Sequence, residues 1–184
     1  AFQIACAQWK HFAAQLERAD VDAAALTHTF VQELLRDVFG YTNLQACLSL
    51  TLDERHYPVS LLAGSVPVVV APHTLALHEP DARFAIAGSG SRKKSAFMLM
   101  QELLNASSDH LWGMACNGKT LRLLRDAATL TRPSFLEIDL ADLLGGQRYA
   151  EFANVWRLLH ASRAPAHPSP LAGEGPGERG CPHA

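Results

Sequence analysis

Cysteine is scarce in this chain and scattered, at Cys6, Cys47, Cys116 and Cys181, with no Cys-x-x-Cys pair. That spacing argues against a zinc knuckle or a thiol redox motif, and a reduced, cytoplasmic setting is the simplest inference. Long apolar runs are missing too. Nothing approaches the roughly 18–20 uninterrupted apolar residues of a membrane helix, and the opening AFQIACAQWKHF is too polar for a secretory signal. Nor is there an excess of basic charge: 16 Lys and Arg stand against 18 Asp and Glu. The whole chain is therefore not a basic nucleic-acid binder, although a local basic face stays open. The nine histidines show no metal-ligand spacing; His73, His78 and His110 read as surface or capping residues. No internal repeat is present.

What the chain does contain is enough apolar residue, 48% of 184, for one domain with a genuine core. Residues 2–18 carry Phe2, Ala5, Trp9, Phe12, Ala13 and Leu16 at helical spacing. A second helix is expected over 23–39, with Asp20 or Asp22 as its N-cap and Gly40 closing it. The middle reads as strands at 45–52, 57–62 and 66–71. The last of these, VPVVVA, has no polar side chain, which suits a strand buried on both faces, with Pro67 near its start or on an edge. A loop over 78–91 ends in Gly-Ser-Gly-Ser, and a helix follows over 95–105 with Phe97, Met100, Leu103 and Leu104 inward.

The clearest local signal is HLWGMACNGKTLRLLRD at 110–126, two strand-like runs around Asn117-Gly118. Asn-Gly at that place predicts a hairpin with a type I′ turn, since both residues accept positive φ. Cys116 within it reads as a small buried hydrophobe. A short strand at 135–140 and a closing helix at 149–161, with Tyr149, Phe152, Trp156 and Leu159 inward, complete a domain spanning 1–163. Residues 164–184 turn abruptly Pro/Gly-rich and predict disorder. The PSPLAGEGPGERG portion looks like translated GC-rich intergenic repeat, so the expectation is a truncated gene whose product once continued past Arg163.

Helix, three strands, helix, strand pair is the layout of the PD-(D/E)XK nuclease-like core, an α+β fold with a mixed sheet flanked by helices. Beyond that layout, four segments are similar to the N-terminal region of large adenine-specific DNA methyltransferases, the type IIG restriction–modification enzymes and related phage-defence methylases. They are FVQELLRDVFGY, VPVVVAPHTLAL, the block from SRKKSAFMLM through FLEIDL, and YAEFANVWRLLHASR. The most specific part is Leu-x-Asn-Ala-Ser, Leu-Trp-Gly, Asn-Gly and Leu-Arg-Leu-Leu-Arg-Asp. The resemblance implies a region that precedes a Rossmann-like methyltransferase domain. That domain binds S-adenosylmethionine through a Gly-containing loop and holds a flipped adenine with Asn-Pro-Pro-Tyr/Phe. The second motif is absent here, and Gly88-Ser89-Gly90 lacks the strand-to-helix context of a cofactor loop. Methyl transfer is therefore not expected of this chain, which needs no cofactor of its own.

A metal-dependent nuclease site requires an acidic residue at one strand start and a Glu-x-Lys or Asp-x-Lys pair on the next, to hold magnesium and polarise water. Asp53 or Glu54 stands at the first position and Glu33 is the helical carboxylate, while Gln101 occupies the helix that carries a glutamine near the metal in related cores. The strand at 66–71 offers no ligand, so the core reads as degenerate, with Glu33 and Asp53 as plain helix and turn residues. Candidate DNA contacts are Arg92, Lys93, Lys94, Lys119 and Arg122, of which the first three form a basic run beside a Gly/Ser loop. Arg122 and Arg125 lie three apart in one strand and point to opposite faces; Arg125–Asp126 is a possible local pair. Ser107-Ser108-Asp109-His110 has the residue types of a hydrolase triad without its geometry. Three functions follow as expectations: an accessory domain of an adenine methyltransferase, a divergent magnesium-dependent endonuclease, or a dimerisation module with exposed apolar surface. DNA and the missing methyltransferase domain are the expected partners.

Overall fold

A computed structural model describes residues 1–90, 92–125 and 134–163. The chain starts with α1 (Phe2–Ala13), which buries Ala5, Trp9 and Phe12 at helical spacing. It ends sooner than the apolar stripe suggested and gives way to turns. In α2 (Ala23–Glu33) the N-cap is Asp22, whose Oδ1 accepts from the N–H groups of Ala24 at 2.8 Å and Ala25 at 3.4 Å. Asp20 instead pairs with Arg18. The helix widens into a π turn over Leu34–Val38 and stops at Gly40, whose φ of 75° only glycine adopts freely.

The strands are shorter and more numerous than the periodicity implied. The run at 45–52 breaks into β1 (Leu44–Ala46) and β2 (Leu50–Leu52), which belong to different sheets. The run at 57–62 likewise splits into β3 (Arg55–Tyr57) and β4 (Leu61–Ala63). Between β2 and β3 the chain reverses through Asp53-Glu54 alone, with φ of 45° and 64°. Then come β5 (Val66–Val70), α3 (Ala96–Ala106), β6 (Trp112–Cys116), β7 (Thr120–Arg125), β8 (Phe135–Asp139) and α4 (Tyr149–Leu159).

Six of these strands form one sheet in the order β1-β4-β5-β6-β7-β8. Every neighbouring pair is antiparallel except β5 and β6, which run parallel and are joined by the α3 crossover. Pro67 pairs with Leu62 of β4 but precedes Val68, where pairing with β6 begins. Its missing N–H therefore costs no ladder bond on that side. Period-two alternation divides the sheet's residues between two apolar layers. Val66, Val68, Met114, Cys116 and Leu121 face α1, α2 and α4. Val69, Ala71, Ala115 and Leu124 face α3 and the β2–β3 hairpin. The fold is α+β, with a six-stranded mixed sheet, N-terminal helices and a C-terminal helix.

The Asn117-Gly118 hairpin is present, but not as a type I′ turn. Only Gly118 has positive φ, at 80°. The Asn117 N–H donates to the Thr120 carbonyl at 3.1 Å, so Gly118 and Lys119 are the central pair, and glycine at the first of them is the type II′ pattern. The type I′ twist occurs instead at Asp53-Glu54, which has no glycine to announce it. α4 differs from its expected face at one end. Phe152 and Leu159 are buried as expected, but Tyr149 is 66% exposed. Among the described residues no helix is long and apolar enough to cross a membrane. Cys181, Asp126, Ser91 and the 164–184 tail lie outside the described residues.

Candidate functional site

The residues singled out for metal chemistry do not meet. Glu33 ends α2 on the α1/α2 side of the sheet, where it lines a shallow groove with Gln8 and His11. Asp53 forms the apex of the β2–β3 hairpin, whose Leu50 and Leu52 pack on the opposite layer. Gln101 is on α3, in that opposite layer, and its Oε1 is buried with no hydrogen-bond partner among the described residues. On β5 itself, Val66, Pro67, Val68 and Val69 are all buried. Among the described residues, no group of three or more His, Cys, Asp or Glu side chains could hold a metal ion.

The cationic candidates fare differently from one another. Arg92 and Lys93 are exposed. Lys94 is buried: its Nζ donates to Glu102 Oε1 at 2.5 Å, and its backbone exchanges hydrogen bonds with Asp81. Lys119 is exposed at the hairpin turn, and its carbonyl accepts from the N–H groups of Leu140 and Ala141. Arg122 is committed. Its Nε donates to Glu137 Oε2 at 2.6 Å, and its guanidinium lies 5.0 Å from the Phe97 ring centroid and 4.7 Å from that of Phe135. Arg125 points to the other face, over Trp112. Two of the five expected phosphate contacts, Lys94 and Arg122, are therefore spent on internal ion pairs. Neither pairing is local in sequence, since Glu102 and Glu137 lie 8 and 15 residues from their partners.

A polar knot closes the end of the parallel strands. The Thr27 hydroxyl donates to the Ala23 carbonyl at 2.7 Å and accepts from the His73 N–H at 2.9 Å. His73 Nδ1 lies 3.3 Å from the same oxygen. Asn117 uses both ends of its amide: Nδ2 donates to the Leu75 carbonyl, while Oδ1 accepts from the N–H groups of Lys119 and Thr120. A Cβ on Gly118 would stand 2.6 Å from Phe12 Cζ and 3.2 Å from Thr27 Cγ2. The knot therefore clamps α1 and α2 to the strand ends. Chemically it offers little: the threonine proton is engaged, and burial pushes the neighbouring Cys116 thiol up to about 12, far from a nucleophilic thiolate. His110 is likewise held, with Nδ1 2.9 Å from the Ser65 carbonyl. Ser108 donates to Asp109 Oδ1, and Ser107 Oγ accepts from the Asp109 N–H.

A concave surface not flagged by sequence lies between α4 and the exposed end of the sheet. Two adjoining hollows, about 370 and 440 Å³, share Trp112, Leu123 and Leu158. Arg125, Arg157 and Arg163 stand along them. The sequence signal existed in WRLLHASR, but α4 read as a helix burying Trp156 and Leu159, and nothing marked Arg157 and Leu158 as the wall of a groove. No family model, no curated protein and no solved structure matches this chain.

Proposed function

We propose that the chain is a non-catalytic, nuclease-like accessory domain akin to the N-terminal region of adenine-specific DNA methyltransferases. Its role there is structural, packing against the methyltransferase or helping to hold duplex DNA. The observation that carries this reading is the sheet connectivity together with the side chains on β5. An N-terminal helix, the antiparallel series β1-β4-β5, the α3 crossover and a parallel β6 follow the element order of the PD-(D/E)XK layout. The strand that should bear the Glu-x-Lys or Asp-x-Lys pair is instead a row of buried valines and a proline.

That combination supports retention of the scaffold and loss of the chemistry. Hydrolysis with divalent metals needs carboxylates at fixed separation to hold both ions and the attacking water. Valines on β5 supply none, and Glu33 and Asp53 lie on opposite layers of the sheet. The helix–hairpin block that carries the methyltransferase resemblance is in this picture the part that builds the sheet and its turn clamp. A DNA-holding role rests on Arg92, Lys93 and Lys119, the candidate cations that are exposed.

The test is a pair of activity measurements on the purified chain. Unmethylated duplex DNA is incubated with labelled S-adenosylmethionine, and separately supercoiled plasmid with magnesium or manganese. Neither methyl incorporation nor strand cleavage is expected. Incorporation, or cleavage lost in Asp53→Asn or Glu33→Gln, would overturn the proposal.

A further inference from the structure

We infer that the groove between α4 and the β6–β8 face is a docking site for an acidic amphipathic protein segment, one with large aliphatic side chains flanked by carboxylates. Its floor is apolar, with Val66, Met114, Leu123 and Leu159, and its lip carries Leu158, which is 56% exposed, and Leu136, which is 43% exposed. Large side chains left half in water on a concave surface are the usual ground for helix or strand capture.

Charge identifies the occupant. Most arginines elsewhere are paired: Arg18 with Asp20, Arg36 with Asp37, Arg83 with Asp81, Arg122 with Glu137 and Arg148 with Asp142. Among the described residues, Arg125, Arg157 and Arg163 have no acidic partner and no carboxylate lines either hollow. Three guanidinium groups around a greasy floor call for carboxylates delivered together with aliphatic bulk. A single-stranded nucleic acid fits poorly, because it needs free aromatic faces. The rings here are taken, Trp112 by Arg125 at 5.5 Å and Phe135 by Arg122. A second copy fits poorly as well, since a two-fold contact would set the same cations against each other. The inference does not depend on kinship with methyltransferases; it rests on this groove alone.

Selection from a random peptide display library on the full chain, followed by anisotropy with the labelled winners, tests it. The expected winners combine Asp or Glu with Leu, Ile, Met or Phe, and raising salt weakens them. Arg157→Glu with Arg163→Glu should lower affinity by at least about tenfold, and a peptide with Lys in place of its acids should bind that variant better than the parent chain. Winners without acidic residues, winners indifferent to the double variant, or no winners would overturn the inference. So would a labelled oligothymidine, a DNA duplex or self-association that the same variant abolishes while peptide binding is untouched.

Discussion

Asn117 shows how one side chain can close a turn, hold a loop and reserve a place for its neighbour. Its amide takes both N–H groups that the reversed backbone leaves over and reaches back to Leu75. Asn117→Ala leaves those part-buried groups unmet, and an unmet buried donor or acceptor costs about 1–3 kcal/mol, which sets the upper range here. Urea unfolding should record a loss in that range with an unchanged m-value. Gly118→Ala should cost at least as much, because positive φ and the contact with Phe12 act together. The opposite change is available at Asp53-Glu54, where two ordinary residues hold the left-handed region. Asn-Gly in their place relieves that strain and should stabilise the chain by about 0.5–1 kcal/mol. A lower melting temperature in that variant would contradict the turn assignment. Composition rules caught the Asn-Gly turn and missed this one, because a two-residue turn can be imposed by the pairing of its strands without its preferred residues.

At the level of elements, the helices were readable and the strands only partly so. The α3 boundaries follow from Ser95, buried and accepting from the Met98 N–H at 3.1 Å, and from the Met100, Leu103, Leu104 stripe. Removing that cap by Ser95→Ala should cost about 1 kcal/mol, with helical circular dichroism retained below the melting point. Strands are harder because three-residue pieces such as β1, β2 and β3 have too few alternations to carry a period. Their ends are decided by partners: β1 by β4, β2 by β3. Lys94 and Arg122 illustrate the same limit for sites. A basic run looks free until the fold brings Glu102 and Glu137 against it. Trp156 is a further case, its indole donating to the Val38 carbonyl across 118 residues and tying α4 to the end of α2.

For the whole molecule, burial behind the sheet sets an alkaline limit on stability. Desolvation pushes the Tyr41 phenol up to about 12 and the Cys116 thiol up to about 12. Both groups are neutral when protonated, so the folded state holds protons that the unfolded chain releases first. Their stabilisation is whole below about pH 9 and falls as pH rises towards 12, the window between the ordinary and the raised values. Denaturation midpoints measured from pH 8 to 11 should decline, and Cys116→Ala should flatten the early part of that decline. Alkylation with mass-spectrometric mapping should find Cys116 unmodified until the chain unfolds.

By itself, the sequence determined the helices, the hairpin, the buried character of β5 and the want of metal ligands on that strand. These follow from periodicity, turn chemistry and residue type, all of which act over a few neighbouring positions. Only the tertiary structure decided which cations are spent, where Glu33 and Asp53 stand, that α1 and α2 close over Gly118, and that α4 leaves an arginine-lined groove. Those outcomes depend on pairings across tens of residues, and the local pattern of a chain carries no record of which distant carboxylate or ring will arrive.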